Sequence, residues 1–195
     1  MAKTKSATLA FSIIIAAALF SAGYFGFSFD ATKPSVSLGC ETTSVNCGNA
    51  NYVVYFCPQD DCDGALINEI NNAKTSVHVA IYSLTLDDIS DALIDAKNRG
   101  VDVKIVVDKV QAAGQYADYQ KLKDAGVDIY IDANSDLMHN KFAVIDGKIV
   151  TTGSYNWTDG ATNGNDENEL IITSVEMAAQ YENAFQKIYS AATAV

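Results

Sequence analysis

The sequence predicts an α/β domain in which a mixed β-sheet is sandwiched by helices. Three observations carry this. Short β-branched runs alternate with segments of helical apolar spacing from Asn51 onward. An Asp-Gly pair, Asp146-Gly147, separates two apolar runs of strand length, the mark of a tight hairpin. Apolar residues make up 49% of the 195 positions, enough for a core, while 2 Pro and 12 Gly are too few for a collagenous or largely disordered chain.

Residues 52–56 (YVVYF) read as a strand. Over 63–74, Ala65, Leu66, Ile70 and Ala73 recur at helical spacing. Residues 77–84 read as a strand and 87–99 as a helix, with Asp87 and Asp88 in its first turn and Gly100 at its end. A strand over 101–107, a helix over 116–125 stopped by Gly126 and a strand over 127–131 follow. Residues 141–145 and 149–152 form the hairpin, and 170–173 belong to another strand. Ser174 caps a final helix with Ala178, Tyr181, Phe185 and Ile188 on one stripe. No heptad or fixed repeat is visible, which excludes coiled coils and solenoids.

The first 30 residues read differently. Lys3 and Lys5 are followed by no charge until Asp30. A basic start and an apolar middle fit a secretory signal, and Ser21-Ala22-Gly23 supplies a small-x-small cleavage site. Residues 7–29 are also long enough to anchor the chain in a bilayer. In both cases the lysines stay cytoplasmic and the rest is extracytoplasmic: secreted, periplasmic or membrane-anchored. Residues 31–50 are rich in Ser, Thr, Asn and Gly and read as a cysteine-containing linker to a domain over 51–195.

Cys40, Cys47, Cys57 and Cys62 lie close together. An even count in an exported segment points to disulfides. A four-thiolate zinc site usually has two short C-x2–4-C pairs, and with gaps of six, nine and four residues the sequence lacks that set. Three pairings are open; Cys40–Cys47 with Cys57–Cys62 is the most local.

Net charge is −11. That balance opposes a general nucleic-acid coat protein, which needs cations to displace counterions from phosphate. Lys97, Arg99, Lys104, Lys109, Lys121 and Lys123 make a basic patch only if the fold gathers them, and their spacing does not force it.

Chemistry concentrates between His139 and Glu169. His139 and Lys141 are two apart at a strand start, so both side chains leave one face. Asp146 has the opposite parity and falls in the turn. Ser154 and Asn156 follow the partner strand, again two apart, and Glu167 precedes the next strand. An imidazole is a nucleophile or acid-base near neutral pH. A nearby ammonium suits a phosphate oxygen, and Ser and Asn add neutral donors. This set is equipped for phosphoryl transfer, which depends on positioning and charge stabilisation. Between His139 and Glu169 no H-x-x-x-H or D-x-D cluster offers a metal cage, so no metal or cofactor is expected.

The run His139-Asn140-Lys141-Phe142-Ala143-Val144-Ile145-Asp146, followed by Gly153-Ser154-Tyr155-Asn156-Trp157, resembles the HKD and GSxN signature of the phospholipase D superfamily. It is most similar to the small one-motif members: bacterial exported endonucleases and the mitochondrial cardiolipin hydrolase and Zucchini group. The resemblance implies a phospholipase D-like fold with one HKD motif per chain, and His139 as nucleophile forming a phosphohistidine. Lys141 and Asn156 would bind non-bridging oxygens, with Ser154 supporting them. Glu167 would orient the nucleophile, and a second histidine would serve as acid and base.

The only other histidine, His78, begins no second motif and reads as a strand residue near the core. A homodimer sharing one active site is therefore expected. Nucleic acid is the expected substrate, with a phospholipid such as cardiolipin the alternative and a catalytically silent binding module the third reading.

Overall fold

A computed structural model describes residues 50–114 and 117–193. The predicted signal or anchor, the linker up to residue 49, Cys40, Cys47 and the first residue of the helix read over 116–125 lie outside the described residues. The elements run β1 (Asn51–Cys57), α1 (Cys62–Asn72), β2 (Ser76–Ile81), α2 (Asp87–Asn98), β3 (Asp102–Val107), α3 (Lys109–Ala112), α4 (Tyr119–Asp124), β4 (Asp128–Ile131), β5 (Lys141–Ile145), β6 (Ile149–Gly153), α5 (Asp159–Asn163), β7 (Glu167–Thr173) and α6 (Val175–Ala191).

The strands join in one sheet of order β1-β7-β6-β5-β2-β3-β4. β2, β3 and β4 are parallel, and the pairings from β2 through β5, β6 and β7 to β1 are antiparallel. This is the predicted mixed sheet. Alternate residues of β2 serve two cores. Val79 and Ile81 join Leu66 and Ile70 of α1 and Ile89 and Leu93 of α2. Ala80 joins Phe142, Val144 and the α6 residues Ala178 and Phe185, with Tyr181 and Ile188 packed at the margin. Burial on both faces explains why β2 and β5 are largely apolar, with His78 and Lys141 the polar exceptions in Val77–Ile81 and Lys141–Ile145. Ser174 caps α6 as expected, accepting from the Met177 N–H at 3.2 Å. Asp146 and Gly147 turn the hairpin with φ of 53° and 62°, a conformation that Gly adopts freely and Asp tolerates.

The departures from expectation have local causes. The strand read over 77–84 stops at Ile81. Beyond it the Tyr82 N–H still donates to the Asn140 carbonyl (2.8 Å), but those of Thr85 and Leu86 turn to Trp157. The strand read over 170–173 begins at Glu167, because β1 pairs along its whole length, from Asn51 with Thr173 to Cys57 with Glu167. Its polar start is strand by partnership rather than by propensity. α3 and α5 are too short to leave a period in the sequence. Asp108 and Thr158 cap them. A disulfide joins Cys57 at the end of β1 to Cys62 at the start of α1, with Cα atoms 6.0 Å apart.

Candidate active site

Antiparallel pairing of β5 with β6, and of β6 with β7, brings the start of β5, the end of β6 and the start of β7 to one end of the sheet. His139 lies two residues before Lys141, which opens β5. Ser154 and Asn156 follow β6, and Glu167 opens β7 rather than preceding it. His139, Lys141, Gly153, Ser154, Asn156 and Glu167 line one cavity of about 370 Å³. A second cavity of about 340 Å³ shares His139, Lys141 and Gly153 and continues to Gln180 and Tyr181 of α6.

The side chains are held in different ways. His139 is exposed. Lys141 is only 8% exposed, and its ammonium donates to the His139 carbonyl at 3.0 Å. Burial depresses the Lys141 pKa, and the Glu167 carboxylate opposes that shift. The Ser154 hydroxyl donates to Glu167 Oε2 and accepts from the Asn168 backbone N–H at 3.1 Å. Glu167 Oε1 accepts from Asn165 at 3.1 Å. Glu167 is thus engaged with Ser154 and Asn165 rather than with His139.

The Asn168 carbonyl accepts from the backbone N–H groups of both Ser154 and Tyr155. That close approach needs Gly153, since a Cβ there would lie 2.0 Å from the same carbonyl oxygen. Among the described residues, the buried Asn156 Oδ1 has no hydrogen-bond partner.

Glu167 and Glu169, two residues apart, are not equivalent carboxylates. Glu169 is 1% exposed, and burial pushes its pKa up to about 8, so it stays largely protonated at neutral pH. Asp146 is away from the cavity in the turn, where it accepts from the N–H groups of Lys74, Thr75 and Ser76. His78 belongs to a separate cluster. Its Nδ1 is 2.9 Å from Glu182 Oε1, and its ring stacks on Phe185.

Several of the basic residues are engaged by local partners. Lys104 pairs with Asp102, and Lys121 with Asp87 and Asp91. Arg99 donates to the Ile70 carbonyl and Lys109 to those of Asn134 and Ser135. Sequence reasoning missed Tyr82, whose ring meets both His139 and Lys141. No local signal marks it, because its partners come from distant segments.

Residues 66–189 match the family model described as "Cardiolipin synthase, PLD-like domain". The chain belongs to the phospholipase D-like family. Among its relatives, a mitochondrial cardiolipin hydrolase of Chlamydomonas reinhardtii is 33% identical over 123 residues, 63% of this chain and 55% of that one. A phospholipase D of Rickettsia bellii is 35% identical over 126 residues, 65% of this chain and 63% of that one. The chain thus spans just over half to just under two-thirds of these curated relatives. The crystal structure of Nuc from Salmonella typhimurium, a phospholipase D family member, superimposes with a TM-score of 0.70 at 30% identity, covering 74% of this chain and 97% of that one. NucT from Helicobacter pylori gives 0.69 at 26% identity, covering 75% and 100%. In this phospholipase D-like chain the HKD and GSxN residues are the ones that line the cavity, Asp146 excepted.

Proposed function

We propose that this phospholipase D-like chain is a phosphodiesterase that cleaves nucleic-acid phosphodiester bonds through a covalent intermediate on His139, without a metal ion. The observation that carries this is the single cavity where an exposed imidazole, a buried ammonium, a serine, an asparagine and a carboxylate converge.

An imidazole nitrogen of His139 attacks phosphorus. The N–P bond forms as the P–O bond to the leaving group breaks, and a second imidazolium gives its proton to the departing oxygen. Water then attacks phosphorus and loses its proton to that second imidazole, and the N–P bond breaks, restoring His139. Lys141 and Asn156 hold the non-bridging oxygens. Ser154 fixes the loop carrying Asn156, and Glu167 anchors Ser154 and favours the Lys141 ammonium. The second imidazole is assigned to His139 of the partner subunit, since His78 is bound in its own cluster.

The resemblance to small one-motif endonucleases supports a nucleic-acid substrate. The second reading, a phospholipid phosphodiesterase, draws on the names of the cardiolipin hydrolase and phospholipase D relatives above. We further propose that the domain works outside the cytoplasm, released or tethered at residues 7–29, a reading that the Cys57–Cys62 disulfide supports.

The deciding experiment incubates the full-length chain, with chelator present, with plasmid, single-stranded nucleic acid and cardiolipin vesicles. Nucleic-acid degradation alone is expected. Release of phosphatidic acid alone selects the lipid reading. His139→Asn abolishes either activity, and turnover retained in that variant removes His139 from the chemistry.

A further inference from the structure

We infer that Tyr82, braced by Gln111, is a positioning residue that holds the His139 imidazole and the Lys141 ammonium in one arrangement. The inference rests on the reading that those two groups perform the reaction.

The geometry is specific. The Tyr82 and His139 rings lie 4.6 Å apart between centroids with their planes tilted by 57°. The Lys141 ammonium stands 4.9 Å from the centre of the same Tyr82 ring. One aromatic side chain therefore touches both groups on which the phosphorus chemistry depends. An ammonium on an aromatic face is attracted by the ring quadrupole, and more strongly where water is excluded. Lys141 is such a case, being almost wholly buried.

The ring is itself fixed. Its hydroxyl accepts from Gln111 Nε2 at 3.0 Å. Gln111 lies in the four-residue helix α3, whose cap is Asp108. Asp108 is fully buried and divides its oxygens: Oδ1 accepts from the Val110 and Gln111 N–H groups, and Oδ2 from the Met138 N–H at 3.1 Å. Lys109 ties the same stretch through the Asn134 and Ser135 carbonyls. The turn after β3 thus grips the chain immediately before His139 and, through Tyr82, the side chains beyond it. Among the described residues the His139 imidazole has no side-chain hydrogen bond or ion pair, and Tyr82 is its one ring contact.

The groups facing the ammonium are the Tyr82 ring, the His139 carbonyl and the Glu167 carboxylate.

The test uses the full-length chain and bis(4-nitrophenyl) phosphate, a phosphodiester that favours neither the nucleic-acid nor the lipid reading. Tyr82→Leu lowers kcat roughly 3- to 30-fold with little change in KM, because substrate contacts remain while the reacting groups lose their common support. Tyr82→Phe and Gln111→Leu each lower kcat about 2- to 10-fold, and the double variant falls no further than either alone, because both cut one hydrogen bond.

Wild-type kcat in a folded Tyr82→Leu, or a loss carried by KM rather than kcat, overturns the inference. So do losses that multiply in the double variant, which decides the matter even if Tyr82→Leu does not fold. His139→Asn is run alongside. Activity there sinks the reading of the site, whereas an inactive His139→Asn beside an unaffected Tyr82→Leu sinks only the positioning role.

Discussion

The two ends of the β5–β6 hairpin carry the two halves of one sequence motif under opposite physical conditions. At the turn, Asp146 is surrounded by donors: the N–H groups of Lys74, Thr75 and Ser76 and the Thr75 hydroxyl. Partial burial pushes its pKa up, but those donors outweigh it and hold the carboxyl below its usual value. At the open end, Lys141 is buried with a carbonyl, an aromatic face and one carboxylate for company, and its pKa is depressed. One end is a satisfied anion that locks α1 and β2 to the hairpin. The other is a desolvated cation beside an exposed imidazole. Residues of a single motif are thus divided between construction and chemistry.

The sharpest way to break this comparison is to alter the open end. Lys141→Met removes the cation from the phosphate site while keeping most of its bulk. Turnover falls on the order of 10²- to 10³-fold. Because a buried ammonium costs free energy, the melting temperature is expected to hold or rise. Parallel kinetics and thermal melts check both halves, and a variant of normal activity removes Lys141 from the reaction.

The matching change at the turn has the opposite signature. Asp146→Ala orphans three backbone donors and leaves a non-Gly residue with positive φ. The cost is about 1–3 kcal/mol, allowing for the solvent that still reaches the carboxylate. Turnover per folded molecule stays within a few-fold. Urea unfolding with an active-site titration measures this. A drop in kcat at unchanged stability would place Asp146 in the chemistry.

The smallest effect sharpens the contrast. A carboxyl with a lowered folded-state pKa contributes stability that is fully present above its unfolded value, near 4, and is lost as pH falls through the folded value. Melting temperatures of wild type and Asp146→Asn should therefore differ by a constant amount at neutral pH and converge below about pH 4. A gap that persists at pH 2 would assign the effect to packing instead.

Much of this arrangement is legible in the residues themselves. Asp146-Gly147 announces the hairpin, and the two-residue spacings of His139 with Lys141 and of Ser154 with Asn156 survive folding as neighbours around one cavity. β7 was only partly legible. Its Glu-Asn-Glu opening has no apolar alternation and becomes strand through β1. The pair Glu167 and Glu169 looks uniform in sequence, yet one lines the cavity and the other is sealed in the core. Tyr82, Gln111 and Asp108 were illegible because each acts across the fold, and a four-residue helix leaves no period. The lysines scattered from 97 to 123 show the converse: charge count says little until each partner is known.

The attachment of β1 has a mechanical side. Asn51 pairs with Thr173 at one extremity of the outer ladder, and Cys57 faces Glu167 at the other, just before the Cys57–Cys62 bond closes a loop. Traction arriving through residue 50 therefore peels this seam from the extremity remote from Glu167, one rung at a time. The rung beside the reactive groups is the last to open, so tension on the leading segment is spent before it reaches them.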